Sequence, residues 1–447
     1  MITTISQNPK YYRWVILFFC FITITFTNGL TLGGLVVFEE EIIKSLSAIT
    51  GQEVLRADLK LRDALTLWST ALFGFFSGLL ADESTKIKIF RLSHWIRYGT
   101  LQTITTPSVG VKKLMISGFI LLSGCFYFYA QAESLFGMYI LHALMGVVLC
   151  ISGMIVNVIL ISRWFNNSRG LAIGILLAGT SVGNGLFPQI NTYLLTLGDW
   201  REVMVWLSLI PLSYIPFLVF FIKDSPDNLV KEKEQKTQHP SQSNMKGGLT
   251  LIEALSTKNF WLLSLMAFCT FYSILAMIGH VFLLMREENY VPQIAATAVS
   301  IIFVGGFIGK VLSGKMAEIV GRKMVLLTGV GVMLLGSLFI VLSIFFKDPI
   351  LIWIGLALYG TGWGGLYTLI QLLTADLFGI IALGKIMGVI NILDTIGGGL
   401  GPYMTGVLYD MTQGYFIPFS LISCLLVIAF ISASLLKIDD QAIEINR

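Results

Sequence analysis

The sequence predicts an all-α integral membrane protein whose twelve transmembrane helices form two pseudo-symmetric six-helix bundles. Three observations predict it. Of 447 residues, 55% are hydrophobic and only 13% are charged, against about 25% charged in an average soluble domain. Apolar stretches of about the 20 residues that a spanning helix needs recur along the whole chain. The two halves also repeat one another's glycine and proline spacing. Mean hydropathy is +0.80. This composition excludes a disordered chain, a small disulfide scaffold and an ordinary soluble enzyme.

Apolar runs bounded by charges and turn residues place the first six spans at about 14–38, 64–81, 114–132, 135–162, 170–195 and 201–222. The first run lacks an A-x-A-like cleavage site and reads as a retained span, not a signal peptide. Lys223 to Lys258 follows, with the run KEKEQKTQHPSQSNMKGG. Its composition is that of a solvated linker. The second six spans fall at about 259–285, 292–317, 324–346, 350–375, 383–409 and 415–437. The chain therefore divides into a bundle over 1–222, a linker over 223–258 and a bundle over 259–447.

Lys and Arg set the orientation. With both termini in the cytoplasm, all but Lys44, Arg56, Lys60, Arg62, Arg201, Arg286 and Lys347 of the 30 Lys+Arg fall on the cytoplasmic side or inside a span. Four of those exceptions sit in one external loop, 39–63. The expected location is a plasma membrane or a bacterial inner membrane. The net charge of +4 is mild, and no basic tail with interleaved aromatics points to nucleic acid. The five cysteines, Cys20, Cys125, Cys150, Cys269 and Cys424, stand singly in apolar stretches. They read as inert thiols, with no disulfide framework and no metal site.

The internal repeat is specific in two places. Span 2 ends Ser77-Gly78-Leu79-Leu80-Ala81-Asp82, and span 8 ends Ser313-Gly314-Lys315-Met316-Ala317-Glu318. Span 5 carries Gly174, Gly183, Gly185 and Pro188; span 11 carries Gly388, Gly397, Gly399 and Pro402 at identical offsets. Parallel repeats of this kind recur in transporters. One segment breaks the repeat, an insertion over about 83–109 that mixes Lys86, Lys88, Arg91 and Arg97 with Ile87, Phe90, Trp95, Ile96 and Tyr98. It reads as a cytoplasmic interfacial helix on anionic lipid.

The run from Gly314 through Glu318 to Gly321-Arg322-Lys323 resembles the loop signature of the major facilitator superfamily, with Asp82 at the matching place in the first half. Arg163-Trp164-Phe165, Arg169-Gly170-Leu171-Ala172, Gly174, Ala178-Gly179, Gly183, Pro188 and Gly198-Asp199-Trp200-Arg201 resemble its monocarboxylate-transporter branch. That branch includes the bacterial oxalate–formate exchangers. The segment from His280 to Gly314 and the segment from Asp376-Leu377-Phe378-Gly379 to Asp410 resemble the same branch. The resemblance implies the major facilitator fold and transport by alternating access. Asp82, Arg169, Glu318 and Arg322 would then serve the loop motif and the gate.

Charges within spans are costly and are functional candidates by default. On the boundaries above, the first half has none in its span interiors, and His142 is its only titratable interior group of acid–base type. The second half has His280, Lys310 and Asp394. Lys310 stands where the branch places an Arg that anchors substrate carboxylate. A Lys holds a carboxylate as a point charge, without the bidentate fork of Arg. Alternatively it snorkels to the interface. In the exchangers span 11 contributes a second cation. Asp394 stands on that span here, which argues against a dianion such as oxalate. In the animal transporters an acid lies one turn before the span-8 Arg; that position is Gly306 here, and Asp394 would supply the acid from another helix. Similar depth predicts a Lys310–Asp394 pair, in which protonation of Asp394 frees Lys310 for an anion. A purely structural salt bridge is the rival reading.

His280 is either a substrate or proton ligand or a packed core histidine. In the exchangers a Trp–Tyr pair spaced like Trp363 and Tyr367 walls the carboxylate site, and the surrounding glycines would let span 10 bend. Asn28, beside Gly29, would face the cavity if span 1 lines it. Asn391, one turn before Asp394, and Asn157 are weaker polar candidates.

The leading expectation is a monomeric secondary transporter of a small organic anion, a monocarboxylate, with the proton as co-substrate and lipid as its surroundings. The alternatives are a major facilitator carrier of a larger neutral or zwitterionic metabolite, and a non-transporting membrane sensor. No cofactor is expected. Gly309-Lys310 lacks both the first glycine and the Ser/Thr of a P-loop. Four scattered His build no enzyme constellation.

Overall fold

The computed structural model describes residues 9–81, 86–89, 102–105, 109–165, 168–225, 248–379 and 381–437. Among the described residues, eleven helical segments are long and apolar enough to cross a membrane. Arg56–Ala81, at 26 residues, completes a set of twelve membrane-length helices.

Span 1 runs from Pro9 to Asn28, passes through a π-helical segment at Gly29–Gly33 and a 3₁₀ turn at Leu35–Phe38, and continues as Glu39–Thr50. Its glycines let it lie against span 5, Arg169–Leu194. A Cβ on Gly33 would stand 2.6 Å from the Asn184 Cα. The Asn191 amide donates to the Gly34 carbonyl at 2.8 Å. The π segment thus sits where the two backbones are in close contact.

The sequence reading ended span 1 at Phe38 and made 39–63 an external loop, and the structure corrects both. The helix continues past Glu39, burying Ile42 and Leu46 at helical spacing. It ends at Gly51, whose φ of +66° suits glycine. Span 2 begins at Arg56, eight residues before the expected start. The charges that suggested a loop are buried against one another, as described below.

Span 3 is Val111–Tyr129, and span 4 is Leu135–Ser152 plus Met154–Trp164, interrupted at Gly153. Span 6 is Trp200–Phe221. A short helix, Leu251–Leu255, opens with a Thr250/Glu253 capping box and leads into span 7, Lys258–Glu287. Spans 8 and 9 are Pro292–Ile319 and Arg322–Phe346. Span 10 is Pro349–Trp363 plus Leu366–Phe378, broken at the Gly364-Gly365 step that the sequence marked for bending. Spans 11 and 12 are Leu383–Thr412 and Phe416–Leu435.

The repeat extends to local geometry. Gly110 and Gly321, with φ of +82° and +88°, precede spans 3 and 9. Two residues later, Lys112 donates to the Val219 carbonyl and Lys323 to the Leu436 carbonyl, each at 2.5 Å. The insertion departs from expectation. Its described residues are two strands, β1 (Lys86–Ile89) and β2 (Gln102–Thr105), paired antiparallel with Lys86 opposite Thr105. The run Lys-Ile-Lys-Ile alternates with period two, the pattern of a strand and not of a helix.

The two halves meet through spans 2 and 11 and through spans 5 and 8. One end of the molecule carries the linker; the other carries the Gly51 turn and is called here the far end. At the far end the apolar core is continuous between halves, joining Phe38, Tyr129 and Phe187 to Tyr272, Val281 and Phe303. Towards the linker end the first half has a separate core of its own, around Ile16, Phe119, Leu160 and Leu218. The halves are therefore packed together at the far end and parted towards the linker end.

Candidate functional site

Lys310 stands 18 residues into span 8, near the level where contact between the halves stops. Glycines bring it there. Gly305 packs on the Gly360–Thr361 backbone, where a Cβ would meet the Thr361 nitrogen at 2.8 Å. Gly309 packs on Thr361 and Gly364. Gly306, the position of the expected acid, faces the Trp363 indole: a Cβ would stand 2.8 Å from its ring atoms. The absent side chain at 306 thus makes room for Trp363. Phe303 holds the indole edge-to-face at 5.8 Å. The Lys310 ammonium lies 5.6 Å from the indole centroid, within cation–π range.

The Lys310 ammonium donates across the interface to span 5, to Thr180 Oγ1 at 3.1 Å and Ser181 Oγ at 2.9 Å. Both partners are neutral hydroxyls. The expected Lys310–Asp394 ion pair does not form. Asp394 is 4% exposed and accepts from Thr395 at 3.1 Å. Among the described residues neither charge has an ion-pair partner. Similar depth did not suffice, because the Lys310 ammonium reaches across to span 5 while the Asp394 carboxylate is taken by Thr395 of its own helix. Tyr367 lies within electrostatic range of Asp394 and packs on Phe271 at 5.9 Å. Asn391 is half-buried. Asn28 donates to the Ile24 carbonyl of its own helix at 3.2 Å.

At the far end a second set of polar contacts joins the halves. The Asp410 carboxylate of span 11 accepts from the backbone N–H groups of Arg56 at 3.2 Å and Ala57 at 2.7 Å. It thereby caps span 2 from the opposite half. The Arg56 guanidinium donates to Tyr415 at 2.5 Å and lies 3.8 Å over the Tyr409 ring. Tyr415 and His280 Nδ1 are hydrogen-bonded at 3.1 Å, and His280 Nε2 donates to the Pro402 carbonyl at 2.8 Å. His280 is fully buried. Its partners belong to this end, and Lys310 is not among them. Arg286 pairs with Glu40 at 3.0 Å. Ser300 donates to the Gly185 carbonyl at 2.6 Å.

Sequence reasoning missed a buried charged group that is the largest among the described residues. Glu39 accepts from Lys60 at 2.5 Å and from Arg62 at 2.8 Å. Asp63 accepts from the same two cations, each at 3.3 Å. Arg62 also donates to Tyr129 at 2.6 Å. Lys60 also reaches the other half, donating to the Gly279 carbonyl at 2.5 Å. His142 adjoins the network, with Nδ1 bonded to Thr66 at 2.9 Å and 4.0 Å from Asp63. Two acids against two cations leave the group formally neutral, which offsets the cost of burial. The first half is therefore not empty of buried charge. The available signal was the run Glu39 to Thr50, which lacks a turn residue until Gly51.

The loop-motif residues sit at the linker end. Arg322 pairs with Asp376, joining two of the motif segments. Arg169 and Glu318 are exposed. Asp82 lies outside the described residues.

Twelve long helices, repeated in two halves and gripping a central lysine at their junction, define a polytopic membrane carrier. The chain belongs to the Major Facilitator Superfamily, whose family model matches residues 17–402. It is a transporter, not an enzyme, and a multi-pass membrane protein. It is similar to the uncharacterized MFS-type transporter YhjX of Escherichia coli K12, 24% identical over 65% of this chain and 69% of that one. It is similar to the benzoate transport protein of Acinetobacter baylyi, 24% identical over 83% and 80%. It is also similar to the probable sulfoacetate transporter SauU of Cupriavidus necator, 27% identical over 58% and 62%. In fold it resembles a bacterial homologue of the human lysosomal transporter Spinster, solved inward-facing and unoccupied. That structure has a TM-score of 0.64 and 18% identity, with 98% of each chain covered.

Proposed function

We propose that this protein is a proton-coupled secondary transporter of a small organic anion, a monocarboxylate. One observation carries the reading: Lys310 presents an ammonium at the junction of the halves, held, among the described residues, only by neutral hydroxyls and an indole face. A part-buried cation without an anionic partner favours binding of an anion. Benzoate and sulfoacetate, named for two relatives, are organic anions. Asp394 supplies the second element. A lone buried carboxyl favours proton uptake, because protonation removes its desolvation cost. Proton and anion together neutralise the cleft and permit the halves to rock about it.

The positive-inside bias places the linker end in the cytoplasm. On that placement the far-end closure makes this conformation inward-open. The loop-motif residues Arg169, Glu318 and Arg322 then line the cytoplasmic gate. Trp363, Tyr367, Asn28 and Asn391 complete the walls of the site, and His280 serves the external gate.

The test is uptake of radiolabelled acetate, lactate, benzoate and sulfoacetate by proteoliposomes, with and without an imposed pH gradient. An inward-acid gradient opposes uptake and an outward-acid gradient drives it. Lys310→Ala abolishes uptake, and Asp394→Asn leaves uptake that no longer responds to the gradient. Normal transport by both variants defeats the assignment. Retained transport in the charge-swapped Lys310→Asp/Asp394→Lys protein favours a neutral or zwitterionic substrate instead.

A further inference from the structure

We propose that Ser181, on span 5 of the first half, is a substrate-binding residue that donates its hydroxyl proton to the anion held by Lys310. The inference rests on the reading of Lys310 as an anion site. Thr180 and Ser181 both accept from the Lys310 ammonium, at 3.1 and 2.9 Å. Their hydroxyl protons differ. Thr180 donates its own to the Leu177 carbonyl at 2.8 Å. Ser181 is 4% exposed, and among the described residues its proton has no acceptor. A buried hydroxyl that accepts one bond and leaves its donor unused is poised for a ligand with a lone pair.

A carboxylate supplies two oxygens. One takes the ammonium, and the other takes the Ser181 proton. The direct ammonium–hydroxyl contact then becomes an ammonium–carboxylate–hydroxyl bridge. No bond is made or broken beyond hydrogen bonds, and the ammonium keeps its three protons. Lys310 belongs to one half and Ser181 to the other, so the bound anion ties the two halves together at midheight. Thr180, its proton committed, acts only as an acceptor that steadies the empty ammonium. The two adjacent hydroxyls therefore have separable roles. The Trp363 ring beside Lys310 walls the same space and favours a substrate with an apolar body behind its carboxylate.

The test measures uptake kinetics of radiolabelled acetate and benzoate in proteoliposomes. Ser181→Ala raises KM about ten-fold with little change in the maximal rate, the loss expected for one hydrogen bond to a charged group. Ser181→Thr keeps the hydroxyl and restores KM to within about two-fold of the unaltered protein. Thr180→Val removes an acceptor from the empty ammonium and no donor from the anion, so KM does not rise. A lower maximal rate at unchanged KM in Ser181→Ala, or equal KM increases in Ser181→Ala and Thr180→Val, overturns the proposal. If neither anion enters with the unaltered protein, the anion-site reading fails and this inference falls with it. If Lys310→Ala abolishes uptake while Ser181→Ala keeps its KM, only the role of Ser181 fails.

Discussion

Replacing Asp410 with alanine should loosen the far end by a calculable amount. The Asp410 carboxylate accepts two backbone N–H groups at the start of span 2, at 2.7 and 3.2 Å. Losing an N-terminal cap costs about 0.5–2 kcal/mol. Losing a negative charge at a helix N-terminus costs about 0.3–1 kcal/mol more. Asp410 sits on the opposite half, so the carboxylate leaves whenever this end opens and the N–H groups then meet water. Only the closed state is penalised by the substitution. A combined loss of about 1–3 kcal/mol shifts the open population roughly 5- to 150-fold. The assay is maleimide labelling of a cysteine placed at Ser300, whose hydroxyl donates to Gly185 of the other half at 2.6 Å. The background carries Cys424→Ser, because the other four native cysteines are buried. With reagent dilute enough that labelling is slower than opening, the rate follows the open population. Asp410→Asn keeps a good capping oxygen and loses the charge, so its effect is smaller than that of alanine. Equal labelling rates in the alanine variant and the unaltered protein would refute the cap as a determinant of closure. So would equal effects of asparagine and alanine.

Further outcomes follow from the same geometry. Lys60→Met leaves the Glu39 and Asp63 carboxylates buried with Arg62 alone, a change of about 3–5 kcal/mol; thermal unfolding in nanodiscs should show a large loss, partly recovered by Glu39→Gln in the same chain. Should the single substitution leave the midpoint unmoved, the network is not neutralised as described. Gly306→Asp introduces the acid of the animal transporters into space filled by the Trp363 indole; tryptophan emission shifts red and uptake falls, whereas a functional protein with unshifted emission contradicts the packing. Arg322→Ala breaks a half-exposed pair with Asp376 and costs at most about 1 kcal/mol of stability, read as a change of few degrees in midpoint; a larger drop means that the pair carries more than its exposure implies.

Most spans were legible because membrane helices announce themselves by composition, and the repeat was legible because glycine and proline fall at matched offsets. The errors were physical in origin. Charge marked 39–63 as a loop, yet Glu39, Lys60, Arg62 and Asp63 neutralise one another inside the bundle. A hydropathy reading weighs each charge alone and cannot see a partner some twenty residues away. The Lys310–Asp394 pair failed for a related reason. Sequence gives depth along a helix, but the direction of a side chain depends on how neighbouring helices pack. Thr180 stands at the repeat position of Asp394, and its contact with Lys310 spans 130 residues.

The sequence by itself determined the family, the twelve helices, the break in span 10 and the identity of the lysine at the junction of the halves. These follow from local composition and spacing, which act within one helix or between adjacent ones. Only the tertiary structure decided which end is closed, what holds Lys310 and where the first half hides its charges. Those depend on contacts between halves, and the free energy of such contacts resides in pairs of residues that the chain itself keeps far apart.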